Sequence, residues 1–379
     1  MRVRVGVVVE QVLAPVPGGT GRYAAEVASA LAATAPDGSS VSGWTAWHRD
    51  TAAARIPGVR GPSRLPLGAR GLAEAWRRGV PLRPRDADLV HATTVLAPPR
   101  GRRPLVVTVH DAVPWTHPET LTPRGVGWHR AMVERAGRSA DAVVVPTHAV
   151  AEELARHVRF RRPPVVAGAG VSRRLAPPAD AGDRLRRLGL GGGHLLTVAT
   201  LEPRKGLDVL LRALAAARAP LPPLAVVGRP GWGGVELGAM AGDLGLPEGA
   251  VRQLGALPDE DLAAVLSGAT ALVAPSRAEG FGLPVAEAMA AGVPVVSSDA
   301  PALVEVGGGA TRVVPVGDSG ALADALTDLL ADPGEQARLR SAGLRRAADH
   351  TWEAVAVRLW RLYGDLLGGS RPTSPAASR

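Results

Sequence analysis

Short apolar runs alternate with helical stretches along this chain, and the series begins twice. The first starts with Val3–Val9, passes a glycine-rich stretch at 18–21 and continues as a helical stretch from Arg22 to Ala33. Its further strands read at Leu89–Ala92, Leu105–His110 and Ala142–Pro146. The second starts with Leu195–Ala199 and the helix Leu207–Ala217. It goes on through the strand Leu224–Val227, the helix Asp259–Ser267, the strand Ala271–Ala274, the helix Pro284–Ala290 and the strand Val293–Ser297. Strands this apolar, separated by helices, belong in parallel sheets covered on both faces. Two such series predict an α/β chain of two Rossmann-like units, and 379 residues exceed what one core usually spans. The units are expected over 1–174 and 190–350, joined within Val171–Gly193, where strand character is low. Trp352, Val355, Leu359, Leu362 and Leu366 share one helical face, so a final helix is expected over 351–367. Residues 368–379, rich in Ser, Pro and Ala, read as a disordered tail.

Several classes drop out on composition. No apolar run approaches the roughly 20 residues of a membrane helix. Met1–Val9 reads as a buried first strand and not as a signal peptide, which needs a longer apolar core and a small-residue cleavage site. The chain has no cysteine, which removes disulfides, thiolate nucleophiles and Cys-based metal sites and leaves a cytoplasmic protein as the expectation. Of the 44 basic residues, all but Lys205 are arginine, so arginine abundance by itself says little. Its distribution says more. Residues 1–174 hold 25 arginines against 13 acidic residues, and the rest of the chain is slightly acidic. An anionic partner is therefore expected on the first half: phosphate, anionic lipid at the inner face of a membrane, or nucleic acid. Nucleic acid is disfavoured, because aromatics are only 3% of the chain and do not interleave with the charge. Residues 55–85, a Pro/Gly/Arg-rich stretch expected to be loop, are the best candidate patch for membrane contact.

One segment carries the most specific signal: Ala274-Pro-Ser-Arg-Ala-Glu279-Gly-Phe-Gly-Leu-Pro-Val-Ala-Glu287-Ala-Met-Ala-Ala-Gly292. A strand ends near Ala274, a loop with Gly280 and Gly282 follows, and a helix is expected from Pro284, since proline suits a first helical turn. Free N–H groups at that helix start, approached closely through glycines, make an anion site. Glu279 on the loop and Glu287 in or near the first turn add two carboxylates suited to sugar hydroxyls. A second block, Thr197-Val-Ala-Thr-Leu-Glu-Pro-Arg204-Lys205-Gly-Leu-Asp, also joins a strand to a helix. Arg204 and Lys205 there can neutralise a diphosphate. An ammonium retained against 43 arginines is a chemical choice, because the compact point charge of lysine differs from a planar guanidinium.

These blocks resemble the signature of the large retaining GT-B-fold glycosyltransferase family, family-4-like or "group 1", of mannosyl- and glucosyltransferase type. The resemblance runs over residues 1–367 and is strongest in the second half. It implies two Rossmann-like domains facing a central cleft, with the last helix crossing back to the first domain. It assigns Glu279 to donor-sugar hydroxyls, Glu287 to the nucleotide ribose, and the backbone of Gly280, Phe281, Gly282 and Leu283 to phosphate or sugar. Arg204 and Lys205 fall on the phosphates. Ala199 stands where the family pattern has glycine. Gly255 and Leu257 belong to loops around the nucleobase. Gly18-Gly19-Thr20-Gly21-Arg22 matches a glycine loop beside sugar and acceptor, with Gly19 toward the donor and Gly18, Thr20 and Arg22 toward the acceptor. His110 becomes a catalytic-site residue, Asp111 and His91 acceptor-side candidates, and His148 part of a helix cap.

The implied reaction moves a hexose, mannose favoured, from a nucleotide sugar to a hydroxyl of a glycan, lipid-linked or small-molecule acceptor, with retention. No metal and no cofactor are expected. Asp259-Glu-Asp261 reads as helix-start acid, and Asp86-Ala-Asp88 precedes a strand, unlike a metal-binding D-x-D. An epimerase or phosphorylase of the same fold, or a non-catalytic sugar-nucleotide binder, remains the alternative. The dinucleotide fingerprint of oxidoreductases is not met.

Overall fold

The computed structural model describes residues 2–368. In the first half, β1 (Arg4–Val8), β2 (Ser40–Thr45), β3 (Arg60–Arg64), β4 (Leu89–Ala92), β5 (Leu105–Thr108), β6 (Ala142–Val145) and β7 (Val165–Val166) form one parallel sheet in the order β3-β2-β1-β4-β5-β6-β7. Its helices are α1 (Gly18–Ala33), α2 (Ala69–Arg77), α3 (Val113–Thr116), α4 (Pro123–Ser139) and α5 (His148–His157). A short helix, α6 (Ala181–Arg187), lies in the expected join. In the second half, β8 (His194–Val198), β9 (Leu224–Val227), β10 (Val251–Gly255), β11 (Ala269–Ala274), β12 (Val295–Ser298) and β13 (Arg312–Val314) form a parallel sheet ordered β10-β9-β8-β11-β12-β13. With it go α7 (Leu207–Ala216), α8 (Leu237–Asp243), α9 (Asp259–Ser267), α10 (Leu283–Ala290), α11 (Pro301–Gly307), α12 (Ser319–Ala331) and α13 (Pro333–Ala347). The helix α14 (Trp352–Gly368) ends the described chain. This is the two-sheet GT-B architecture that the sequence leads one to expect.

The central strands are buried along their whole length, as in β4, β5, β6, β9 and β12, because helices cover both faces. Strand order reverses between β1 and β4 in one sheet and between β8 and β11 in the other. Ligands of open α/β sheets sit outside the strand C-termini at such switch points. The loops after β8 and β11 are the ones that carry Arg204-Lys205 and Glu279.

The final helix packs on the first domain. Trp360 Nε1 donates to Leu31 O at 3.1 Å, and Arg358 Nη1 donates to Ala167 O at 2.7 Å. Tyr363 Oη lies 2.6 Å from His91 Nδ1. One apolar core runs from β1 and α1 through α14 to α9, α10 and α11. It holds both halves together.

Two expectations need correction. Gly18–Gly21 is not a loop before the helix but its first turn, since α1 begins at Gly18. A Cβ at Gly21 would collide with Pro17, so glycine there allows the close approach of α1 to the segment before it. Residues 55–85 are not simply loop: β3 and α2 lie within them. Glu287 is the fifth residue of α10, immediately after its first turn and so near it, as expected. Helix α6, which packs against α9, occupies the expected join, where strand character is low. Residues 369–379, most of the expected tail, lie outside the described residues.

Candidate active site

The two loops at the second switch point are stitched together. Arg277 makes a bidentate pair with Asp208 at 2.8 and 2.7 Å and donates to Pro203 O at 2.7 Å. Its own N–H donates to Arg204 O at 2.8 Å. Ser298 Oγ fixes the other side by donating to Ser276 O at 2.6 Å. The segment 203–208 and the loop 276–279 therefore move as one piece.

Glu279 sits on that piece. Lys205 Nζ donates to its Oε1 at 2.6 Å and Ser276 Oγ to the same oxygen at 2.7 Å. Arg204 Nη1 lies 3.4 Å from Oε2 and donates to Ala278 O at 2.8 Å. Burial alone would raise this carboxyl; Lys205 and Arg204 overcome it and hold it at about 2. Burial pulls the Lys205 amine below its ordinary value, with Glu279 opposing. A carboxylate, an ammonium and a guanidinium thus share one low-dielectric niche beyond β8 and β11.

Next to it Gly282, with φ of 93°, caps α10 in the left-handed region that favours glycine. Leu283 and Pro284 open the helix; proline has no N–H, and the Val285 and Ala286 N–H groups return to Gly282 O at 2.9 and 3.3 Å, so the Leu283 N–H is the donor that the first turn leaves over. Gly280 lies against the opposite domain, and a Cβ there would collide with His110 O. Thr147 Oγ1, from the first domain, donates to Gly280 O at 3.0 Å. Phe281 does not project into open space: its ring is buried and meets His350 edge-on at 5.4 Å. Any role for Phe281 toward a ligand falls to its backbone.

Glu287 is also buried, and its partner crosses the cleft. Arg22 Nη1 from α1 donates to Glu287 Oε1 at 2.9 Å, and Arg22 Nη2 reaches Asp259 Oδ1 at 3.4 Å. Burial raises the Glu287 carboxyl, with Arg22 opposing. Arg22, expected on the acceptor side, is placed on a carboxylate of the second domain. Gly18 and Gly19 open the same helix, and a Cβ at Gly19 would come 3.7 Å from Leu283 Cδ1. Thr20 turns its hydroxyl back to Pro17 O at 3.2 Å. Asp259 faces Arg22, while Glu260 and Asp261 bind Arg184 at 2.6 Å each.

On the first domain, His110 Nε2 lies 2.8 Å from Thr93 O. A carbonyl only accepts, so Nε2 carries the proton and Nδ1 is left as the basic nitrogen. Burial lowers His110 below its ordinary value, and Tyr23 meets the ring edge-on at 4.7 Å. Asp111 Oδ1 accepts from Val113 N at 3.0 Å. His91 is a correction. It is fully buried, with Nδ1 on Tyr363 and Nε2 2.8 Å from Thr108 Oγ1, so it ties α14 to the sheet and offers no free nitrogen to an acceptor. Gly255 ends β10 with φ of 68°, and Leu257 packs partly into the core, apart from the Glu279 niche. His148 opens α5 behind the Thr147 cap, as expected of a cap region.

A cavity of about 120 Å³ joins the two sides, lined by Asp111, Thr116, His117, Glu153, Arg277 and Glu279 among others. Ser276, Arg277, Asp208 and Thr147 escaped the sequence reading. Ser276 and Arg277 stand in the same block as Glu279, so their spacing could have raised them. Asp208 and Thr147 act only through tertiary contacts.

Fold and site define a GT-B glycosyltransferase. The chain belongs to the glycosyl transferase group 1 family: the "Glycosyltransferase Family 4" model matches residues 17–173 and "Glycosyl transferases group 1" matches 192–332. It is 30% identical over 297 residues to O-antigen chain mannosyltransferase B of Escherichia coli, covering 76% of each chain. It is 39% identical over 221 residues to the GDP-mannose-dependent alpha-(1-6)-phosphatidylinositol monomannoside mannosyltransferase of Mycolicibacterium smegmatis, covering 54% of this chain and 55% of that one. Among solved structures, sucrose-phosphate synthase from Thermosynechococcus elongatus shares 25% identity with a TM-score of 0.79, covering 97% of this chain and 100% of that chain.

Proposed function

We propose that this glycosyltransferase moves a hexose, with mannose favoured, from a nucleoside-diphosphate sugar to a hydroxyl of a glycan or lipid-linked acceptor, with retention at the anomeric carbon. The observation that carries the reading is the niche in which Lys205 and Arg204 converge on Glu279 beside the start of α10. The donor's diphosphate lies across Lys205, Arg204 and the Leu283 N–H that opens α10, which stabilise the charge that grows as the sugar leaves. Two fixed cations do the work a divalent ion does elsewhere. Glu279 stays ionised and accepts from sugar hydroxyls. Glu287 exchanges Arg22 for ribose hydroxyls when the donor enters. Gly255 and Leu257 flank the base.

The acceptor enters from the first domain, past Asp111 and the small cavity next to Glu279. Carboxylates and an arginine in so small a space suit a polyol end better than an acyl chain. Neutral His110 accepts a hydroxyl hydrogen bond at Nδ1. The departing phosphate takes the acceptor's proton, so no side chain need be the base. Mannose is supported by the printed activities of the Escherichia coli and Mycolicibacterium relatives.

Thermal shift with UDP-, GDP-, dTDP- and ADP-sugars tests this. The matching donor at a hundredfold its Kd should stabilise the fold by about 2.7 kcal/mol. GDP-mannose is the expected best. Stabilisation by UDP-glucose alone would overturn the mannose assignment, and no response to any donor would overturn the donor site. Donor turnover without acceptor would favour an epimerase.

A further inference from the structure

A second cavity, of about 810 Å³, lies on the first domain and shares no lining residue with the cleft. Arg64, Arg83, Arg85, Arg102 and Arg103 line it, with Asp86 as the one carboxylate. They come from the end of β3 and from the loops before β4 and β5, so the fold gathers charges that are distant in sequence. Trp44 and Trp47 add aromatic surface to the lining.

Arginine abundance alone does not account for this. What sets the hollow apart is that five guanidiniums converge on it; elsewhere arginines such as Arg184, with Asp180, Glu260 and Asp261, and Arg277, with Asp208, have carboxylate partners, and others, Arg49 and Arg252 among them, stand singly. Among the described residues, none of the five cavity arginines makes an ion pair. Arg83 is the most enclosed. Its Nη2 donates to Arg103 O at 3.2 Å, while its Nε is buried without a hydrogen-bond partner. A Cβ at Gly101 would collide with Arg83 Nη1, so the glycine is what lets the guanidinium lie against that loop. Burial, then the Arg103 charge, lowers Arg83 from its ordinary value. Arg83 is partly buried without a carboxylate at contact distance, the other four guanidiniums are exposed around it, and their planar forks match phosphate.

We propose that this cavity is a second anion site, which takes a phosphate-bearing group other than the donor's diphosphate. Such a group comes either as a lipid headgroup or as a soluble phosphate ester. Trp47, Leu67 and Val80 are all exposed, and Trp47 N donates to Leu67 O, so apolar surface adjoins the charge. The site rests on charge and geometry and not on the choice of sugar or acceptor, so either reading can fail without the other.

Inorganic pyrophosphate binding to the full chain, followed by calorimetry, is the first test. Two sites are expected in the parent. Arg83→Gln with Arg103→Gln should weaken one of them roughly tenfold or more, whereas Lys205→Ala weakens the other. Arg102→Gln, at an exposed position, gives a milder loss should the double variant unfold early, and Arg156→Gln on α5 controls for general charge. Co-sedimentation with phosphatidylcholine vesicles, with and without phosphatidylglycerol, separates the sources. Binding to the anionic vesicles that the double variant loses assigns a headgroup. Pyrophosphate binding without vesicle binding assigns a soluble ester. One pyrophosphate site in the parent, or two that the arginine variants leave unchanged, overturns the proposal.

Discussion

The two ends of the donor segment carry the same side chain and opposite electrostatics. Glu279 and Glu287 are eight residues apart, and both are taken out of water. Glu279 has two cations from its own domain, and burial loses: the carboxyl is held at about 2. Glu287 has one arginine, supplied by the other domain, and burial wins: the carboxyl is raised. The first charge is built into the second domain. The second depends on the cleft being closed on Arg22. A buried carboxylate is thus fixed or conditional according to whether its cation arrives on the same rigid piece.

Four measurements press on that contrast. Lys205→Ala removes the ammonium from the fixed end and should lower kcat about 10²- to 10³-fold, read in a transfer assay. Near-full activity would break the assignment of Lys205 to the diphosphate. Glu279→Gln should cost on the order of 3 kcal/mol of stability at neutral pH, because Lys205 and Arg204 hold the folded carboxyl at about 2, below its ordinary value. That contribution is present above 4.5 and is lost as pH falls toward about 2, so parent and variant should converge in acid denaturation. Glu287→Gln should show the reverse slope. A raised carboxyl contributes fully below 4.5 and loses that contribution as pH rises through its folded value. The variant therefore gains on the parent between acid and neutral pH, by less than Glu279→Gln loses, since the opposing arginine is partly solvated. Urea midpoints at several pH values read both, and slopes of the same sign would dissolve the contrast. The smallest effect concerns His110: because burial lowers it, the acid limb of kcat/KM should fall below the ordinary 6.5.

The fixed end was legible in the sequence and the conditional end was not. Loop, glycines, Glu279 and the Arg204-Lys205 pair stand in two continuous blocks at strand ends, where local order already implies the geometry. The strands Leu224–Val227 and helix Asp259–Ser267 were likewise readable to the residue. In the first domain, the glycine run looked like a turn, yet Pro17 and the backbone before it let α1 start at Gly18. His91 looked like a ligand residue because it ends a strand; only the return of α14 supplies Tyr363 and buries it. Arg22 has no sequence signal pointing 265 residues ahead to Glu287. β3 and α2 were hidden by Pro, Gly and Arg, whose local preferences are overridden by pairing with β2 and by burial of Leu72 and Trp76.

One contact across the cleft has a use of its own. Glu305 of α11 receives the N–H groups of His148 and Ala149 at 2.8 and 2.9 Å, closing the exposed end of α5 with a carboxylate from the other domain. Those two amide hydrogens lose their acceptor when the domains part. Their deuterium uptake therefore reports how much of the protein is open, and needs neither substrate nor partner to be read.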